Sequence, residues 1–236
     1  MAKINFKPAV SANALQKQFG VFSEKAIRAV QRNQDINAYT FSNTLQKMGD
    51  SFVAVGQQEV MNKGAKRLAE TLASLKNDRL AGMVYSFLIK FNAGNEAAIE
   101  EFATNGLKIA KRLHDPIHIM ARANDLKIVY GRKASNQEKL LKVLFEEKRA
   151  LNDIVNDYEG VQKRFCSLTR QMRPRENYEE KLAAIKLDIA EILVAKNDNH
   201  QAIVELKEAL AIYERIGKGK NSEKIEKMLS KLTGVQ

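Results

Sequence analysis

The sequence has no tryptophan, a single cysteine, three prolines and three histidines, and each scarcity removes a class of protein from consideration. One thiol cannot close an intramolecular disulfide. Cys166, set in a helical pattern beside Phe165 and Leu168, reads as a half-buried structural thiol. His114 and His118 have the spacing of a metal-binding pair, but Pro116 lies between them and places His114 ahead of the helix whose first turn holds His118. No cysteine or carboxylate ligand stands at matching spacing, so no metal site is expected. Both histidines, like His200 at a later helix start, read as residues of helix ends. No apolar run reaches the about 18 residues of a membrane span, and the polar stretch from Met1 to Pro8 lacks the apolar block of a secretory leader. A cytoplasmic protein without membrane insertion is expected. Alternating β-branched runs of useful length are missing too, which excludes a sheet.

Catalytic patterns are equally scarce. Gly217, Gly219, Asn221 and Ser222 have the look of a phosphate-cradling loop, but a helix precedes them where a strand is required, and no Lys-Ser or Lys-Thr closes the motif. Carboxylates alternate with cations, as in Glu146-Glu147-Lys148-Arg149, the pattern of solvated helix surfaces rather than of an acid/base pair. No cofactor and no catalytic residue are expected, and an enzyme is the reading with least support.

What the chain does contain is helix-forming residues and positive charge. Of 236 residues, 44% are hydrophobic and 28% charged, with a net charge of +11, a composition that suits an ordered helical protein rather than a disordered one. The charge is uneven. Residues 105–175 hold 16 basic against 8 acidic residues, net +8, whereas residues 176–236 hold 10 against 11, net −1.

Apolar spacing and capping residues predict helices in succession. A helix over Ser23–Arg32 follows an interruption at Gly20, and runs over about 35–47 and 52–75 flank a break at Gly49-Asp50-Ser51, with a further break at Gly56 left open. Asn77-Asp78 starts a helix over Leu80–Phe91, and the next runs from about Glu96 to Leu113. His114-Asp115-Pro116 ends that helix and starts one reaching Tyr130. Ser135 and Glu138 form a capping box for a run reaching Val155, and a basic run spans 157–172. Two helices, about 176–196 and 200–216, then meet at Asn197-Asp198-Asn199, and Ser222–Leu232 makes the last one.

Within that final pair, small Ala190, Ala202 and Ala209 are interleaved with large Leu193 and Leu206, between Ile189 and Ala209. This stretch resembles one tetratricopeptide repeat, and a weaker version places Tyr85, Ile89, Ala98 and Phe102 at the template positions, with Ser86 and Asn105 where small residues belong. The turns at Gly94 and Ser135 lie about 41 residues apart, longer than the about 34 of that family, which points to a long-helix variant. The resemblance implies an all-α fold, an α-solenoid of antiparallel helical pairs wound into a right-handed superhelix. It implies a repeat domain over 35–236 with a C-terminal capping helix, preceded by an irregular arm and short helix over 1–34. In such arrays the first helix of each pair lines a groove, which makes Lys127, Lys186, Asp188 and Glu191 groove candidates.

The expected function is therefore a non-catalytic scaffold that binds a segment of a protein or peptide partner, one carrying acidic residues. The alternative is a nucleic-acid-binding repeat protein that uses the basic 105–175 segment. Candidate partner-binding residues are Arg112, Arg122, Lys127, Arg132, Lys133, Lys163, Arg164, Arg170, Arg173 and Arg175, whose charge favours anionic surfaces. Against nucleic acid, only Phe165 and Tyr158 interleave with them, and no repeated base-reading pair occurs. Exposed Phe19, Val21 and Phe22 would offer a surface for packing on the chain's own array or on a second copy, a homo-oligomer.

Overall fold

The computed structural model describes residues 11–165 and 172–234. Within them lie eleven α-helices and one 3-10 turn, and no strand. No helix among the described residues is long and apolar enough to cross a membrane. The helices form two compact units, one ending at His114 and the other beginning at Asp115.

The first unit contains α1 (Ala12–Gln31), α2 (Ala38–Ala54), α3 (Gln58–Ser74), α4 (Asp78–Phe91) and α5 (Glu96–Arg112). All but α3 start by a simple rule, in which a side-chain oxygen takes an otherwise orphaned backbone N–H. Ser11 accepts from Ala14, Asn37 from Thr40, Asn77 from Leu80 and Asn95 from Ala98. Their ends turn through left-handed residues, among them Asn33 (φ 52°), Gly56 (φ 68°), Lys76 (φ 58°) and Gly94 (φ 98°).

Two expectations give way here. The first helix starts at Ala12, not Ser23, because its cap is Ser11 and Gly20 sits unstrained within it. The second passes through Gly49 and ends at Ala54, and the chain then turns at Gly56. Gly49 is a packing residue: a Cβ there would lie 2.6 Å from the Phe91 ring and 2.7 Å from that of Phe87.

Aromatic rings hold this unit's hydrophobic core. Phe22 stacks on Phe41 at 5.2 Å, and Phe19 meets Phe52 edge-on at 6.1 Å. Phe19 and Phe22 are thus buried rather than exposed, and of the expected surface trio only Val21 faces solvent. Buried Asn92 satisfies its amide between Asn62 on α3 and the Leu88 carbonyl, which fixes the α3–α4 hairpin as antiparallel together with the Gln58 bond to the Phe91 carbonyl.

The second unit runs α6 (Pro116–Tyr130), the 3-10 turn Ala134–Asn136, α7 (Gln137–Asn156), α8 (Tyr158–Phe165), α9 (Arg175–Ala195), α10 (Asn199–Arg215) and α11 (Gly219–Thr233). α6 packs on α7, α7 on α9, α9 on α10 and α10 on α11. The long helices thus stack in chain order, α7 meeting α9 past the short α8, in the pairwise stacking of an α-solenoid. Asp115 caps α6 by accepting from Ile117 and His118, and its other oxygen lies 2.5 Å from His118 Nδ1. His114 adopts φ 49° at the preceding helix end, so both histidines serve helix termini.

In the α9–α10 pair, Ala183, Ala190, Ala202 and Ala209 are fully buried beside Leu193 and Leu206. Their small side chains let the two helices approach closely. Ion pairs set the register: Lys186 on α9 meets Glu205 at 3.6 Å and Glu208, while Arg215 on α10 reaches Glu179 at 2.8 Å. The ascending and descending numbers make the pair antiparallel. Glu205 also receives Lys148 from α7 at 2.5 Å, which ties one pair to the next.

Gly20 and Gly49, both within helices, should respond oppositely to alanine. Gly20→Ala is expected to stabilise by about 0.5–1 kcal/mol through helix propensity, whereas Gly49→Ala should destabilise by about 1–3 kcal/mol through overpacking against two rings. Urea unfolding of both variants against the parent chain checks the pair of signs.

Candidate functional site

Most of the candidate basic residues that the structure describes already hold a partner. Arg112, in the first unit, grips Asp78 through two bonds of 2.9 and 2.6 Å. Arg122 is largely covered and lies 3.3 Å from Asp125 one turn away. Arg132 and Lys133 are exposed at the α6–α7 connection. Lys163 and Arg164 are exposed on α8, where Arg164 pairs with Asp157 at 2.8 Å and lies over the Phe165 ring. Arg173 and Arg175 stand exposed at the start of α9. The Tyr158 hydroxyl donates to the Arg173 carbonyl at 2.7 Å, and Arg175 pairs with Glu179 at 3.2 Å. Arg170, like Cys166, lies outside the described residues. Exposed pairs of this kind contribute about 0–1 kcal/mol each, but they do neutralise charge that the sequence offers as free.

Lys127 belongs to a different setting. It lines an open concavity of about 300 Å³ in the second unit, with Gly131, Gln137, Leu140, Leu144, Asp188, Glu191, Ile192 and Ala195. Three elements supply this surface: the C-terminal half of α6, the N-terminal half of α7 and the C-terminal half of α9. Leu140, Leu144 and Ile192 form an aliphatic wall, and charge is confined to Lys127, Asp188 and Glu191. Of the four groove candidates, Lys127, Asp188 and Glu191 line this concavity. Lys186 does not: it is buried, turned toward α10 and held by Glu205 and Glu208.

Burial at the concavity works against ionisation of two carboxyls, and nearby lysines oppose it. Behind Lys127 lies buried Glu147, with the Lys127 ammonium 3.5 Å from its Oε2. Burial raises the Glu147 carboxyl above its ordinary range, opposed by attraction to Lys127. Asp188 is raised in the same way by burial, against the pull of Lys127 and with Glu191 adding to the rise. The sequence reading missed Glu147, which sits in a run of alternating charges; the signal available was its place on the apolar face with Val143, Leu144, Ala150 and Leu151. Among the described residues, no group of three or more His, Cys, Asp or Glu side chains is placed to hold a metal ion.

No protein-family profile and no curated protein sequence matches the chain. Among solved structures it is similar to BtubC (BKLC) from P. vanneervenii, with TM-score 0.44 and 14% identity over 94% of this chain and 91% of that one. It is also similar to a de novo designed helical repeat protein, DHR64, with TM-score 0.29 and 13% identity over 95% and 96% of the two chains. The DHF58 filament overlaps with TM-score 0.20 and 14% identity over 94% and 95%. These overlaps assign no family.

The raised Asp188 carboxyl has a measurable consequence. A carboxyl whose folded pKa exceeds its unfolded value near 3.8 supports folding fully below that value and loses this contribution as pH rises through the folded pKa. Asp188→Asn is therefore expected to gain stability relative to the parent chain as pH rises from about 4 to about 7. Denaturant unfolding of both proteins across that range should show the difference growing with pH. A constant or shrinking difference would contradict the burial of this carboxylate.

Proposed function

We propose that the chain is a non-catalytic adaptor of the cytoplasm, a long-helix relative of tetratricopeptide arrays, which holds an extended segment of another protein in the concavity of α6, α7 and α9. The observation that carries this reading is the lining itself. Lys127, Asp188 and Glu191 converge from two helices onto the wall of Leu140, Leu144 and Ile192. A surface that pairs an aliphatic wall with a few placed charges suits recognition of side chains on a peptide.

The ion pairs of the basic residues support a protein partner over nucleic acid. Binding phosphates at Arg112, Arg164 or Arg175 requires breaking contacts to Asp78, Asp157 and Glu179, and those carboxylates would repel the same phosphates. Acidic residues of the partner have exposed Lys163 and Arg173 to meet.

Panning a random peptide library on the full chain tests this. Binders are expected whose affinity, read by fluorescence anisotropy, falls at least about tenfold in Leu140→Glu and is unchanged in Arg112→Glu. Failure to select any binder, or binders indifferent to Leu140→Glu, would contradict the reading.

A further inference from the structure

The helices of the first unit finish on a shared rim. Phe22 meets Phe41 and Phe19 meets Phe52, so α1 and α2 run antiparallel. A Cβ at Gly64 would lie 3.0 Å from the Phe19 ring, which sets the first halves of α1 and α3 side by side. α4 runs back along α3, and Arg112 at the end of α5 holds Asp78 at the start of α4. The ends of α1, α3 and α5 therefore share one rim with the starts of α2 and α4.

Positive charge gathers on that rim. Its segments 28–41, 71–81 and 109–114 hold six basic and two acidic residues, whereas the opposite rim, 11–15, 51–61 and 88–99, holds one basic and two acidic. Part of the excess serves the helices themselves: Arg28 and Arg112 stand in last turns, which the helix dipole favours, and pair with Glu24 and Asp78. Arg32, Lys76 and Arg79 are exposed, and no carboxylate among the described residues lies within ion-pair distance of them. Arg79 sits in the first turn of α4, where the dipole disfavours a cation, so helix stability does not account for it. Two apolar groups stand on the same rim: Tyr39, in the first turn of α2, is 75% exposed and Leu113, past the end of α5, 39%.

We propose that this rim of the first unit is a docking surface for an acidic protein segment, whose carboxylates pair with Arg32, Lys76 and Arg79 and whose apolar side chains cover Tyr39 and Leu113. Tyrosine and arginine carry a large share of the energy at protein contacts. Packed helices lie about 8–10 Å apart, so the path from α1 across α3 and α4 to α5 is about 25–30 Å, the reach of about eight extended residues. A nucleic acid fits less well. It would set a phosphate at every step against Asp35, Asp78 and the carbonyl ends of three helices, and Tyr39 is the one exposed aromatic on the rim for its bases. The assignment is independent of the concavity in the second unit.

The test is fluorescence anisotropy on the full chain with two labelled probes of about eight units, a peptide of Glu-Glu-Leu repeats and an oligothymidylate. The peptide is expected to bind, with affinity at least about tenfold lower in the combined Arg32→Glu, Lys76→Glu and Arg79→Glu variant and about threefold lower or more in Tyr39→Ala. Lys163→Glu with Arg173→Glu, and separately Leu140→Glu, should leave it within about twofold. Single Gln substitutions at the three exposed cations, each expected to weaken binding about twofold or more, carry the test if the combined reversal impairs folding. Absence of peptide binding, equal losses from reversing the rim and from reversing Lys163 and Arg173, or no effect of Tyr39→Ala overturns the proposal. Oligothymidylate binding more tightly than the peptide, and lost with the same three cations, overturns it in favour of nucleic acid. Each of these failures leaves the concavity reading standing, because that reading is tested by selected peptides and Leu140→Glu.

Discussion

The packing of α9 on α10, with Ala183, Ala190, Ala202 and Ala209 fully buried in the core, is the constraint from which the second unit is built. Each alanine is fully buried, and a longer side chain at any of them would push the helices apart against a close-packed core. Because the pair sits close, the Lys186 ammonium can reach Glu205 and Glu208, and Glu205 can in turn accept Lys148 from α7. Lys186 and Glu205 are buried, and each would be costly if left alone, which favours the register that brings them together. The positions of α7 and α9 relative to each other, and hence the wall of Leu140, Leu144 and Ile192, follow from that register.

The helical class and the pairing were legible because they rest on local chemistry. Asn77, Asn95, Asp115 and Asp198 each cap the helix that follows them, and the spacing of small and large residues in the last pair matched its buried face. What stayed hidden depended on distant partners. Gly49 and Gly56 are the same residue type seven positions apart, yet one lies under two phenylalanine rings and the other turns the chain. Phe19 and Phe22 flank Gly20 in a stretch that reads as irregular, and only the facing Phe41 and Phe52 make them core. Lys186 was placed on the groove because it shares a helix with Asp188 and Glu191. Two residues of a helix turn it to the opposite side, where α10 supplies carboxylates.

The site was legible in outline and not in sign. Net charge pointed outward, to a broad basic surface awaiting an anion. In the folded chain much of that charge is answered by nearby carboxylates at Asp78, Asp157 and Glu179. In the concavity the charge is mixed, with Asp188 and Glu191 beside Lys127 on an aliphatic wall. No count of charges along the chain can find this arrangement, since Asp188 and Glu191 lie in the nearly neutral segment 176–236 and meet Lys127 only once α6 and α9 are packed.

The central claim is that the working surface is the concavity of α6, α7 and α9 rather than the exposed basic residues of α8 and the start of α9. Amide hydrogen exchange of the full chain, with and without a saturating peptide ligand, tests this most directly. Protection is predicted in segments 125–144 and 186–195. Protection confined to segments 158–165 and 173–179 would contradict it.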